Sequence, residues 1–217
     1  MDAIDRQFAE VMRVFPALEK AGRLTLRGLL PFSASLDGEN VQDVFNLEIV
    51  ASQDFFKVAP AVRDLGGRTE TYTHINPDGT FCLGAPQAVQ MAYRESGTLL
   101  AFIREQVIPY LFAFCIWERN GKFPFGELQH GGAGILQYYR EDYFKVGTDI
   151  QVLRLLKVNV DRSYKQISLC PCGSGKAFRA CHGRMVQAIS RSQTYPQLLA
   201  DYDTALRAYV KYGCEIP

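Results

Sequence analysis

The residues able to do chemistry fall in two places. Between Thr73 and Gly84, THINPDGTFCLG sets His74, Asn76 and Cys82 around a turn sequence, and near the C-terminus CPCGSGKAFRACHG gathers Cys170, Cys172, Cys181 and His182. By residue type alone, Cys82 is open to three readings: a buried packing residue, a metal ligand or a nucleophile. The C-terminal group has one reading that uses all of it. Three thiolates and an imidazole make the ligand count of a closed tetrahedral structural site, and zinc suits soft sulfur with one nitrogen. Such a site leaves no open position for catalysis.

Gly173 and Gly175 allow a tight turn after the first two cysteines, exposing backbone N–H groups to the thiolates. The GSGK within this stretch lacks the full spacing of a phosphate loop, and Ala177 stands where the hydroxyl residue would be. These fourteen residues resemble the SEC-C motif, the zinc module at the C-terminus of the SecA translocation ATPase and on many bacterial proteins. The resemblance implies a docking or stabilising module with a bound Zn2+. With a complete ligand set there, His74 and Cys82 would be two ligands short of a site of their own.

A nucleophilic cysteine needs access, a fraction of thiolate and a donor for the oxyanion. The turn sequence Asn76-Pro77-Asp78-Gly79 folds Asn76 back toward Cys82, where its amide would donate without titrating. His74 would orient the loop through its ring nitrogens. Asp78, Glu70 and Asp64 are carboxylates that would assist an incoming amine, and sequence does not choose among them. Cys115 in LFAFCIW, and Cys214, read as small buried apolar residues. His130 in LQHGGAG reads as a core histidine bonded to backbone, or as a group near the cysteine site.

The segment HINPDGTFCLG resembles the active-site loop of ubiquitin-conjugating (E2) enzymes, in which His-x-Asn precedes a turn, a Gly and the thioester-forming Cys followed by Leu. Ile75 replaces the usual Pro, and the stretch from Asn76 to Cys82 is shorter. WERNGKFPFGELQHGGAGILQYY is similar to the Gly- and aromatic-rich segment of bacterial E2-like proteins. Those accompany cGAS-like nucleotidyltransferases in short type II CBASS anti-phage operons. The resemblance implies that Cys82, supported by Asn76 and His74, carries the nucleotidyltransferase C-terminus as a thioester and passes it to a lysine or other amine, priming signalling. It also implies an α+β fold: an E2-like antiparallel β-meander flanked by helices, with a small zinc module appended.

The elements that must position these groups follow from periodicity. Apolar residues at Ile4, Phe8, Val11, Met12, Phe15 and Leu18 predict an amphipathic helix from Ile4 to Lys20, with Asp2 as N-cap and Gly22 as stop. RLTLRGLLPFSA and VQDVFNLEIVAS, parted by SLDGEN, read as antiparallel strands, and the chain to Tyr72 supports at most one more short strand. Cys82 therefore lies on a loop beside a sheet. A helix from about Leu99 to Trp117 is apolar on most faces, with Pro109 a kink, and residues 119–144 read as irregular. IQVLRLLKVNV is a strand or short helix. Beyond Gly183 a helical pattern closes the chain, interrupted at Pro196. The expected organisation is a catalytic domain over 1–146, a connector over 147–165, and the metal motif with a C-terminal helix over 166–217.

A chain of 217 residues buries enough surface to fold without disulfides. Its 24 Lys and Arg against 23 Asp and Glu give a net charge of +1, which argues against direct nucleic-acid or membrane partners. The start MDAIDRQFAEVMRVF lacks the pattern of a secretory signal, so the expectation is a cytoplasmic protein. Three other readings stand beside the transferase. One is a non-catalytic E2-fold scaffold, and one a thiol isopeptidase or deamidase with His130 as base. The last is a zinc-dependent nucleic-acid adaptor resting on FRACHGRMVQAISR alone.

Overall fold

The computed structural model describes residues 2–53, 57–124 and 131–212. The architecture is α+β, with a four-stranded antiparallel sheet in the order β1-β2-β3-β4, and helices. The chain divides into two units: Met1–Gly84 with Ala92–Glu127, and Ala85–Met91 with Leu128–Pro217.

The first unit opens on α1 (Ala3–Val14), whose N-cap Asp2 accepts from the Asp5 N–H at 3.0 Å. The helix stops before Pro16, well short of Gly22, and Leu18–Gly22 is β1. Pro16 has no N–H to continue the ladder, which the apolar periodicity through Leu18 conceals. β2 (Thr25–Leu36) and β3 (Glu39–Val50) form a long hairpin, and β4 (Ala61–Asp64) adds the short fourth strand. The register places Leu26 opposite Ile49 and Leu30 opposite Phe45, so one face of the sheet is apolar. On the other face Glu48 stands between Arg27 and Arg63 on the neighbouring strands and is paired to both.

After the sheet, α3 (Leu99–Phe102), a π-helical turn (Ile103–Val107) and α4 (Ile108–Asn120) run as one stretch. Pro109 lacks the N–H that Glu105 would receive in an α-helix, and the turn before it widens instead. Leu99–Asn120 is long and apolar enough to cross a membrane by length and composition, yet Leu111, Phe112, Phe114 and Ile116 are buried here and α4 packs on β2 and β3. A helix the sequence reading did not expect, α2 (Pro86–Ser96), precedes this stretch.

The second unit is helical. Residues read as irregular form α5 (Gly131–Gln137) and a π-helical extension (Tyr138–Tyr143). Then come α6 (Asp149–Val160), α7 (Gly183–Ser192) and α8 (Tyr195–Tyr212). Pro196 falls in the first turn of α8, where its missing N–H costs nothing, and the break lies just before it. Gly132 explains the glycine-rich run: a Cβ there would stand 2.4 Å from the Thr204 carbonyl and 2.7 Å from the Ala208 Cβ, so α5 meets α8 backbone to backbone. One core joins Leu136, Tyr139, Leu155, Leu156, Val186 and Leu198 with Cys170, Cys172 and Phe178. Cys170, Cys172 and Phe178 are thus part of this unit's interior.

Candidate functional site

The loop carrying Cys82 is a small closed hairpin in the first unit. Ile75 bridges Phe81, the Asn76 N–H donates to the Thr80 carbonyl at 2.8 Å, and the Gly79 N–H returns to the Asn76 carbonyl at 2.8 Å. Gly79 takes φ +80°, a conformation that side chains other than glycine rarely adopt. Asp78 completes the turn, its carboxylate accepting from the Thr80 hydroxyl at 2.6 Å and N–H at 3.1 Å, which holds its pKa below the ordinary value. The Phe81 N–H donates to the Val62 carbonyl of β4 at 2.8 Å, pinning the hairpin to the sheet edge. Cys82 follows directly and is partly exposed.

His74 contributes both its backbone and its ring. Its carbonyl accepts from the Cys82 N–H at 2.8 Å and from the Tyr110 hydroxyl of α4 at 2.8 Å. Its ring lies edge-on to Tyr72 and to Phe123, with centroids 5.2 and 5.5 Å away. Tyr110 also stacks on Phe81 at 4.4 Å, and burial pushes its phenol well above the ordinary range, with Tyr72 and Cys82 adding to the rise.

Asn76 is committed within the loop. Its Nδ2 donates to Thr80 Oγ1 at 3.0 Å and to the Phe81 carbonyl at 3.2 Å. Both amide protons have acceptors there, so the amide braces the hairpin. Asp64 Oδ1 accepts from the Gly66 N–H at 2.8 Å, and its Oδ2 from the Thr69 N–H at 3.0 Å. It shapes the chain leading to the site.

Arg68 anchors that same chain. It forks onto Glu118 of α4 at 2.9 and 2.6 Å, reaches Asp43 of β3 at 2.8 Å, and covers the ring of Phe45 at 4.9 Å. Cys115 is buried as the sequence suggests, with its sulfur 3.4 Å from Asp43 Oδ2. Burial first, and that carboxylate second, push its thiol up to about 12, which leaves it inert as a nucleophile. His130 and Cys214 lie outside the described residues.

In the second unit, Cys170, Cys172, Cys181 and His182 bring four ligand atoms within 4.8 Å of one another. The Cys172 and Cys181 sulfurs are 3.7 Å apart, and His182 Nδ1 lies 3.1 Å from the Cys181 sulfur and 3.4 Å from that of Cys170. A tetrahedral ion with metal–sulfur bonds of about 2.3 Å has sulfur–sulfur edges of about 3.8 Å, and the Cys172 and Cys181 sulfurs stand at that spacing. His182 Nε2 lies 3.0 Å from the Phe144 carbonyl. A proton on Nε2 would satisfy that carbonyl and leave the Nδ1 lone pair facing the cysteine sulfurs, where it could join them in holding a metal ion.

The thiolates are supported as well. Burial raises the Cys170 thiol although the N–H groups of Cys172 and His182 donate to it. At Cys172 burial is outweighed by the hydroxyl and N–H of Ser174, and the thiol is lowered. Gly173 and Gly175 set the turn, and the donors are their neighbours. Gln151 was not singled out from sequence. Its Oε1 receives the N–H groups of Gly147 and Thr148 at 3.0 and 3.1 Å while its Nε2 donates to the Cys172 carbonyl at 2.6 Å, so one amide caps α6 and holds the cysteine turn.

Compared with known proteins, residues 168–184 match the SEC-C motif, a stretch that contains Cys170, Cys172, Cys181 and His182. No curated protein and no solved structure matches the chain.

Proposed function

We propose that the protein is an E2-like acyl carrier in which Cys82 holds the C-terminus of a partner protein as a thioester and yields it to an amine. The observation that carries this reading is the placement of Cys82: a partly exposed thiol directly after a hairpin braced by Asn76, pinned to β4 and tied through the His74 carbonyl to Tyr110. The order of helix, four-stranded meander, cysteine loop and helix supports it. In this scheme the Cys82 thiolate attacks an activated acyl group and expels its leaving group. The amine then displaces the thiolate and forms an amide. The chain's contribution is a fixed thiol position, and it asks little of a base if the acceptor amine is desolvated.

The partner favoured by the resemblance is a cGAS-like nucleotidyltransferase of a CBASS operon, with a protein lysine or another amine as acceptor. The C-terminal metal is proposed to be Zn2+, held by Cys170, Cys172, Cys181 and His182, with a structural role, because all four positions are filled by protein. Co-expression with the neighbouring genes, followed by intact-mass spectrometry, tests the transferase. A thiol-labile adduct present in wild type and absent in Cys82→Ala supports it. A wild type without adduct that still retains its partner favours the scaffold instead.

One observation favours that second reading, a non-catalytic scaffold: the Asn76 amide spends both protons inside the loop.

A further inference from the structure

We infer that the C-terminal Cys/His cluster is an oxidation switch, in which a peroxide joins Cys172 to Cys181 as a disulfide and the cluster lets its metal go. This rests on the reading of the four residues as a metal site. The three cysteines are unequal. Cys170 and Cys172 are 3% and 5% exposed, whereas Cys181 is partly exposed and is the sulfur that an oxidant in solution meets. The local charge favours a thiolate: from Arg162 to Ala200 the sequence holds Lys165, Lys176, Arg179, Arg184 and Arg191 and no Asp or Glu.

Geometry supplies the second thiol. The Cys172 sulfur lies 3.7 Å from that of Cys181, nine residues along the chain. Gly173 and Gly175, at φ +82° and +73°, make up part of the turn between them, and that turn can yield as the sulfurs close to a bond of about 2.0 Å. In the first step the Cys181 thiolate attacks one peroxide oxygen, the O–O bond breaks, and hydroxide leaves a sulfenic acid on Cys181. The Cys172 thiolate then attacks the Cys181 sulfur, the S–S bond forms, and the sulfenic oxygen departs as a second hydroxide. Two thiolates give up two electrons, and the peroxide is reduced to two hydroxides that take protons from solvent. The Ser174 hydroxyl, 3.4 Å from the Cys181 sulfur, stands where the second hydroxide forms and can pass it a proton.

A disulfide there removes two of the four donors. Cys170 and His182 alone are half of a tetrahedral set, too few to retain a structural ion. The change reaches the rest of the second unit because Cys170, Cys172 and Phe178 belong to its core. Gln151, which caps α6, also holds the Cys172 carbonyl at 2.6 Å, so a shift of Cys172 pulls on that helix end. Oxidation therefore loosens the unit, and a thiol reductant with fresh metal restores it.

The test treats the zinc-loaded full chain, carrying Cys82→Ala to remove the other partly exposed thiol, with hydrogen peroxide. Zinc release is followed with a chromogenic chelator against an untreated sample, whose zinc content checks the metal reading separately. Disulfides are mapped by mass spectrometry after alkylation. The expected result is zinc release together with a Cys172–Cys181 disulfide and a lower melting temperature, all reversed by dithiothreitol and zinc. Cys181→His keeps four donors and should release zinc at least about tenfold more slowly under peroxide. Cys170→His keeps the reactive pair and should release it as fast as the parent chain. Zinc retained by the parent chain under peroxide overturns the proposal, as does equal sensitivity of Cys181→His. Release through sulfinic or sulfonic acids, or through a disulfide to Cys170, overturns it too. The disulfide map of the parent chain decides the question even where a histidine variant fails to take up zinc.

Discussion

The hydroxyl of Tyr110 and the N–H of Cys82 converge on one acceptor, the carbonyl of His74, each at 2.8 Å. A helix residue 36 positions along the chain from His74 therefore sets the backbone that carries the cysteine. Tyr110→Phe removes one donor, keeps the ring on Phe81, and leaves the carbonyl bonded to Cys82. The expected cost is about 1 kcal/mol by urea denaturation. The alkylation rate of Cys82 should change as well, because the loop is less firmly held. An unchanged rate together with unchanged stability would mean that Tyr110 does not position the loop.

Asn76 gives a sharper contrast. Asn76→Ala loses the bonds to Thr80 Oγ1 and the Phe81 carbonyl, with an expected loss of about 1–3 kcal/mol. Asn76→Asp places a carboxylate against that same carbonyl and should cost more than Ala. Thermal unfolding of the two variants measures this order. If Asp proves milder than Ala, the amide is not donating where the structure puts it.

For the metal centre, chelation or Cys170→Ser with Cys172→Ser should reduce bound zinc from about one per chain to none. Because both cysteines belong to the core of the second unit, that unit should lose cooperative unfolding with the metal. Full zinc retention by the double variant, read by elemental analysis, would show that other groups hold the ion. A cobalt(II)-loaded sample should give the absorption of a tetrahedral thiolate site.

The contrast between legible and illegible parts has a physical basis. The metal ligands are readable because the turn that gathers them is local, and the β2–β3 hairpin because alternation and the Asp37-Gly38 turn agree. The groups that support the ligands are not. Phe144 lies 38 residues from His182, and Gln151 lies 21 from Cys172, and only tertiary packing brings them in. α5 is hidden by its glycines, which lower helix propensity but let α8 approach at Gly132. At Asn76 the sequence shows an amide near a cysteine, whereas its contacts to Thr80 Oγ1 and the Phe81 carbonyl become visible only once the hairpin is folded.

Gly132→Ala follows from that approach. A Cβ would stand 2.4 Å from the Thr204 carbonyl, so α5 and α8 must separate, at a cost of about 1–3 kcal/mol despite alanine's better helix propensity. Chemical denaturation should show a destabilised variant. Stabilisation would place the helices further apart than described.

Asp201 supplies a pH signature for the second unit. The residue is 7% exposed, and burial pushes its pKa up to about 6, with the 2.7 Å hydrogen bond from Gln193 Nε2 opposing the rise. An unfolded chain returns it to its ordinary value of 3.8. The folded state therefore binds this proton more tightly. The resulting stabilisation is full below the unfolded value, declines as pH climbs through about 6, and is absent above it. A gap of about two units corresponds to roughly 3 kcal/mol at most. Asp201→Asn keeps an acceptor for Gln193 and carries no charge to bury. It should match wild type near pH 4 and exceed it in stability at pH 8. Subtracting the two stability–pH curves isolates this group from the other titrating residues, and a flat difference between pH 4 and pH 8 would show that Asp201 is ionised at little cost in the folded protein.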